Sequence, residues 1–308
     1  MIPTFRRFDL LCEAVASAIV QRCSSGPVEI VVVDNDPQST NAERLLERMP
    51  AIRDIAFRYY INAENLGMFG NWNRCIELGR GEWHSMLHDD DLLDPDFADV
   101  LMSTIAWRPK IDGIACRKRN LDQRAQGKPP PPGAAQKALR LARDMTNFGF
   151  SDYRIVDARK LFWASTLGNP TGFICRKSAA IDAGGYRQED YPSGDHFFFA
   201  RFAARFRLAQ HKQVLASFRM AVNETMGPDV IRGFVVAGWN LQQQMAGRDV
   251  PRWWARLSGL SAACEIAAWN RYWHTDVDAC DVERAIGQAL PKPRRRLYLL
   301  GKVLLGGF

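Results

Sequence analysis

Hydrophobic residues recur at two different spacings along the first third of the chain, and the predicted element changes wherever the spacing does. Leu11, Val15, Ala18 and Ile19 fall on one helical face, predicting an amphipathic helix over residues 8–20 behind the very short apolar start MIPTF. The run VEIVVVD ends at Asp34. It is continuous, rich in β-branched residues, and bounded by Gly26-Pro27 and the polar DNDPQST. Such a run predicts a buried parallel strand that opens into a loop at its carboxyl end. IAFRYYI (55–61) predicts another strand, FGNWNRCIELGR (69–80) a helix, and EWHSML (82–87) a fourth strand. Alternation of strand and helix over the first 115 residues or so is the pattern of an α/β fold with a mostly parallel sheet. Ligands bind beyond the carboxyl ends of the strands in such sheets.

Further along, Asp94-Pro95 reads as the N-cap and first residue of a helix reaching Trp107. From Arg117 to Gly133 the chain turns basic and proline-rich. GKPPPPG is too stiff to join a sheet, so this stretch is expected to be a long loop over the ligand side. TGFICRKSAAIDAGGY (171–186) predicts a strand, a short helix and a tight Gly-Gly turn, and DHFFFARFAARF (195–206) a helix with an aromatic face. From about residue 228 the pattern is helical and rich in tryptophan. The expected organisation is an α/β body over 1–225, with halves meeting near residue 115, and a helical region over 226–308.

Composition is that of a protein with a full-sized core: 308 residues, 47% hydrophobic and 24% charged. No run approaches the roughly 18 to 20 apolar residues of a membrane-crossing helix, and the start lacks a secretory pattern, so a cytoplasmic location is expected. Met1 and Ile2 alone precede the first Pro-Thr, so either the first strand is short or the true start lies upstream. Seven dispersed cysteines read as reduced core thiols. The net charge of +7 points to an anionic partner. Nucleic acid is not expected to be that partner. Basic residues gather in PKPRRRLYLLGKVLLGGF (291–308), beside Leu297, Leu299 and Leu300. This tail reads either as an interfacial helix lying on the anionic inner-membrane face or as a packed helix with solvated arginines.

Chemistry concentrates where EWHSML runs into Asp89, Asp90 and Asp91, with no basic residue beside them in the sequence. Carboxylates gathered at a strand end can hold a hard divalent cation, Mg2+ or Mn2+, or can form a solvated acidic loop capping the next helix. Asp34 likewise can accept hydrogen bonds from a ligand or can start a turn.

IPTFRR, VEIVVVDNDPQST and NAENLGMFGNWNRCIELGRGEWHSMLHDDDLL follow one another in an order and spacing that resemble glycosyltransferase family 2, the inverting enzymes of GT-A fold. The resemblance implies a Rossmann-like sheet flanked by helices. It also implies that Pro3, Thr4 and Arg7 line a nucleotide pocket, that Asp34 contacts the base or ribose, and that Asn65 and Gly67 shape the adjoining loop. Asn71 and Asn73 would start the helix behind the donor. Asp89 and Asp91 would form an Asp-x-Asp pair around Mn2+ or Mg2+, with Asp90 as the alternative ligand in another register.

The segment around GGYRQEDYPSGDHFFF resembles the acceptor-side part of the same family, which implies a catalytic base at Asp195 in preference to the nearby Glu189-Asp190. A helix start stabilises a carboxylate as the anion, and Asp195 reads equally as an N-cap. Relatives place a further histidine around ASFRMAVNET; here His211 precedes that stretch and Ala221 to Asn223 occupy the expected place. The implied donor is a UDP-sugar before a dTDP- or GDP-sugar, and the implied acceptor a glycan or lipid-linked glycan. A nucleotidyltransferase and an inactive glycan-binding scaffold are the competing readings.

Overall fold

A computed structural model describes residues 1–108, 110–123, 144–220, 227–273 and 275–304. The chain divides into two compact units. One comprises Met1–Ile155, Asn169–Arg187 and Arg205–Ala221, and the other Val156–Gly168, Gln188–Ala204 and Val222–Phe308.

In the first unit, β1 (Ile2–Thr4), β2 (Ile30–Asp34) and β3 (Phe57–Ile61) form a parallel sheet with Thr4 opposite Asp34 and Asp34 opposite Ile61. The β2 run IVVVD is buried along its whole length, as its unbroken β-branched sequence requires. Helices α1 (Phe8–Ile19), α2 (Asn41–Arg48) and α3 (Gly67–Leu78) alternate with these strands. Next come β4 (Trp83–Ser85), β5 (Leu92–Leu93), α4 (Phe97–Trp107), β6 (Gly113–Asp122) and β7 (Tyr153–Ile155). α5 (Ala158–Trp163) lies in the second unit, and the first resumes with β8 (Phe173–Arg176), α6 (Lys177–Asp182) and β9 (Leu208–Met220).

The second sheet is mixed, in the order β4-β8-β6-β9-β5 with β7 also on β9; only β6 and β9 run parallel. Two hydrogen bonds join the sheets, from the Met1 amino group to Ser85 O (2.8 Å) and from Leu87 N to Met1 O (2.9 Å). Residues 85 and 87 thereby flank Met1 as a parallel partner would, so β4 extends the order β3-β2-β1 at its open edge. One core runs under both sheets, with Leu11 and Val15 of α1, Val32 of β2, Phe97 and Leu101 of α4 and Ile114 of β6 among its members.

Three expectations change. α4 begins at Phe97 and not at Pro95, because Asp94 is drawn away to pair with Arg119 on β6. Arg117 to Asp122 form the second half of β6 instead of a loop. Their charges find partners outside the sheet: Arg117 pairs with Asp144 (2.9 Å) and Lys118 donates to Asn169 Oδ1 (2.9 Å). GKPPPPG lies outside the described residues. His211 sits within β9, opposite Tyr153, and Ala221 to Asn223 lie outside the described residues.

The second unit is helical. It holds α7 (Gly194–Arg205, up to Ala204), α8 (Pro228–Met245), a 3-10 turn Arg252–Leu257, α9 (Ser258–Trp273), α10 (Ala279–Ile286) and α11 (Arg295–Leu304). It therefore recruits two segments from before residue 226, contrary to the boundary expected there. Aromatic packing explains α5: Phe162 and Trp163 lie against Trp254 at 5.1 and 5.8 Å, and Gln242 donates to Phe162 O (2.8 Å). Five cysteines are buried, Cys23 is half-buried and Cys280 exposed, and all seven are free thiols.

Candidate functional site

Thr4, Asp34 and the segment after β4 stand at the carboxyl ends of neighbouring strands, so the sheet order itself gathers them. Thr4 Oγ1 donates to Asp89 Oδ2 (2.8 Å), and both residues are buried. Arg7, at the start of α1, approaches Asp90 Oδ2 at 3.0 Å and Asp89 Oδ1 at 3.7 Å. The cation absent from the neighbouring sequence thus comes from the end of the adjacent strand. Pro3 is buried within β1 opposite Val33, so it shapes the strand end and does not line an open pocket.

Asp91 is the most enclosed carboxylate of the triplet, at 1% exposure. Its Oδ1 accepts from Arg219 N (2.9 Å) and its Oδ2 from Asn169 Nδ2 (2.6 Å). Arg219, itself 3% exposed, also donates through Nε to Asp90 O (2.7 Å) and ion-pairs with Glu13 (2.5 Å). Arg219 and Asn169 escaped the sequence reading, because both reach the triplet from elements that precede or follow the recognisable motifs. The run FRM around Arg219 carries no signal beyond a strand.

His88, Asp90 and Asp91 each present a ligand atom, and these atoms lie within 4.8 Å of one another. His88 Nε2 is buried without a hydrogen-bond partner, and its ring rests on Trp72 at 4.7 Å. Burial holds its imidazole below the usual pKa, so the neutral ring keeps a lone pair for a cation. The same burial raises Asp91, and pushes Asp89 up to about 6 against the hydrogen bond from Thr4. A divalent cation fits this set: mixed imidazole and carboxylate donors, one polar atom unsatisfied, and carboxylates whose charge is poorly solvated. The cluster contains Asp90 and Asp91; Asp89, expected as a ligand, instead turns to Thr4.

Two of the expected site residues, Asp34 and Asn71, are buried. Asp34 has no exposed surface. Its carboxylate accepts from Ser39 Oγ (2.5 Å), Tyr59 Oη (2.7 Å), Asn41 Nδ2 (3.3 Å) and Asp36 N (3.0 Å), and is therefore a brace for the loop after β2. Asn71 is also buried, a full turn inside α3, with its amide spent on Val33 O (3.1 Å) and Asn62 Nδ2 (2.9 Å). Asn65 lies on the exposed loop before α3 and its Oδ1 accepts from the N–H of Gly67 (2.9 Å), the exposed first residue of that helix, which adopts φ +70°. Asn35, which the sequence did not single out, ties this loop to β2. It donates to Asn65 Oδ1 (2.7 Å) and accepts from Leu66 N (2.9 Å) and Asn62 Nδ2 (3.0 Å).

Asn73 has a different part. Its amide donates to Tyr186 O (2.7 Å) and accepts from Tyr186 N (2.9 Å), clamping the Gly-Gly turn to α3. Gly185 adopts φ +58°, and a Cβ there would fall 2.5 Å from Asn73 Oδ1, which explains the glycine.

In the helical unit, Asp195 is half-buried in the first turn of α7, and its Oδ1 accepts from His196 N (2.7 Å). Glu189 and Asp190 lie in a separate 3-10 turn, where Asp190 is buried and paired with Arg201 at 2.5 Å. That pairing spends Asp190 on structure.

The model of the family described as Glycosyl transferase family 2 matches residues 1–182. Over 179 residues the chain is 30% identical to an uncharacterized protein of Mycobacterium tuberculosis, covering 58% of this chain and 53% of the relative. Over 102 residues it is 30% identical to the putative colanic acid biosynthesis glycosyl transferase WcaA of Escherichia coli, covering 33% and 35%. The chain thus spans about half the length of the first of these relatives and about a third of the second. Residues 1–349 of S. aureus TarS superpose with a TM-score of 0.57 at 13% identity, over 88% of this chain and 71% of that one. The Pyrobaculum calidifontis mannosyltransferase PcManGT, solved with GDP-Man and Mn2+, gives 0.55 at 18% identity, over 98% and 84%. Those identities speak for the fold alone, but the family match covers more than half of the sequence and includes every strand end that carries the acidic site. This chain belongs to glycosyl transferase family 2.

Proposed function

We propose that this protein transfers a sugar, with inversion, from a nucleotide-diphosphate-sugar to a hydroxyl of a glycan or lipid-linked glycan. The observation that carries the reading is the convergence of His88, Asp90 and Asp91 at a strand end of a family 2 fold. These three residues would hold Mn2+ or Mg2+, which when bound neutralises charge on the departing diphosphate. Thr4 and Arg7 position Asp89 and Asp90 beside it. Family relatives named for glycan assembly, and solved neighbours bound to UDP-GlcNAc and to GDP-Man, favour a nucleotide-sugar donor.

Asp195 is assigned the base. Its carboxylate takes the proton of the acceptor hydroxyl while that oxygen bonds to the anomeric carbon, and the bond from that carbon to the diphosphate oxygen breaks with its electron pair leaving on the nucleotide. The ion pair of Asp190 with Arg201 supports this choice over Asp190.

Nucleotide release from a panel of UDP-, GDP- and dTDP-sugars, with and without Mn2+, tests the reading. One donor is expected to turn over only with metal, and Asp91→Asn to lower kcat/KM by roughly a hundredfold or more. Asp195→Asn is expected to lower kcat while sparing donor affinity. Undiminished turnover in a chelator, or in Asp195→Asn, would remove the metal site or the base from the account.

A further inference from the structure

α11 is a ten-residue helix with two unlike faces. Its inner face docks on the helical unit. Tyr298 donates from Oη to Trp163 O (3.1 Å) with the two rings 5.7 Å apart, and Gly301 lies so close to Trp163 that a Cβ would meet the indole at 3.3 Å. Lys302 is half-buried, with Glu265 as the neighbouring charge. The outer face carries Leu297, Leu299 and Leu300, exposed by 51%, 38% and 52%.

Arg294, Arg295 and Arg296 are exposed beside these leucines, with Lys292 just before them. The three arginines occupy the amino-terminal end of α11, where the helix dipole disfavours cations. Helix stability therefore does not account for them. No Asp or Glu follows Glu283 in the sequence, so the segment offers one sign of charge next to an apolar strip. Nearby in the same aromatic block, Trp253 is 52% exposed between the exposed Arg252 and Arg256 side of its turn. It contacts Trp254 at 6.0 Å, and Trp254 in turn contacts Trp163, on which α11 docks.

We propose that the outer face of α11 is a docking surface for an anionic lipid bilayer. Leucines entering the acyl boundary and arginines on lipid phosphates form a combination that suits such an interface. Among the described residues no helix is long and apolar enough to cross a membrane, so the contact is one of lying on the surface. The inference is independent of which donor the protein uses.

The full-length chain is to be sedimented with vesicles of phosphatidylcholine alone and of phosphatidylcholine with roughly one-third phosphatidylglycerol, at low and high salt. It is expected to sediment with the anionic vesicles only, and less at high salt. The double substitution Leu297→Asn with Leu300→Asn, and the triple change of Arg294, Arg295 and Arg296 to Gln, should each weaken partitioning by about tenfold or more while leaving circular dichroism and melting unchanged. Failure to sediment with anionic vesicles, or wild-type partitioning by both variants, would overturn the proposal. So would a dimer broken by the leucine substitutions in a protein that ignores vesicles, since the face would then belong to a second copy.

Discussion

At the scale of single residues, burial decides which polar groups serve chemistry and which hold the fold. Asp34 ends the buried strand β2, and Asp91 lies in the segment between β4 and β5. Asp34 meets four donors, whereas Asp91 shares a 4.8 Å cluster with Asp90 and a histidine whose Nε2 lacks a partner. His84, in the middle of β4, shows the thermodynamic side of burial. Desolvation, aided by the Met1 amino group and Lys177, lowers its pKa to about 3. Because the folded value lies below the ordinary 6.5, the folded state binds fewer protons than the unfolded one. His84 therefore contributes stability that is complete above about pH 6.5 and is lost as the pH falls toward its folded value. The melting temperature should drop between about pH 7.5 and pH 5, and His84→Phe should narrow that drop, with the remainder carried by the other histidines that burial holds neutral. An unchanged drop in the variant would show that His84 is not buried in the neutral form. The presence of aspartates at strand ends was legible in the sequence. Their partners were not, since Ser39, Tyr59, Asn169 and Arg219 meet them only once loops and later strands are in place.

At the scale of elements, most of the pattern from β1 to α4 was legible, because continuous β-branched runs and helical spacing are local signals. Failures occurred where a distant charge changed a local preference. Arg119 takes Asp94 from its capping position, so α4 starts two residues later than Asp94-Pro95 suggests. Carboxylates from elsewhere likewise allow the basic end of β6 to be a strand. The Gly-Gly turn after α6 was foreseen as a turn, but its reason is the Asn73 clamp on Tyr186. Gly185→Ala should cost about 1–3 kcal/mol, measured by urea unfolding, through a left-handed backbone and a collision with Asn73. Gly79→Ala is the control: its backbone is extended and its new Cβ would meet nothing closer than 3.6 Å, so a smaller loss is expected there. Equal losses at both positions would remove the clamp from the explanation.

At the scale of the whole molecule, chain order and spatial order part company. The sequence suggested a body followed by a helical region, yet the helical unit draws in residues 156–168 and 188–204 around Phe162, Trp163 and Trp254. Trp163, Phe197 and Trp254 are buried in that unit, while Trp253 is exposed. In the other unit, the two bonds of Met1 to Ser85 and Leu87 bring the β4 end beside β1, and so bring the aspartates to Thr4 and Arg7. That juxtaposition is the central claim, and calorimetric titration of the protein with nucleoside diphosphates and nucleotide-sugars tests it most directly. Binding that requires Mn2+ or Mg2+, disappears in chelator and is lost in Asp91→Asn but kept in Asp34→Asn is the predicted result. Equal binding with and without metal, or binding that survives in Asp91→Asn and fails in Asp34→Asn, would contradict it.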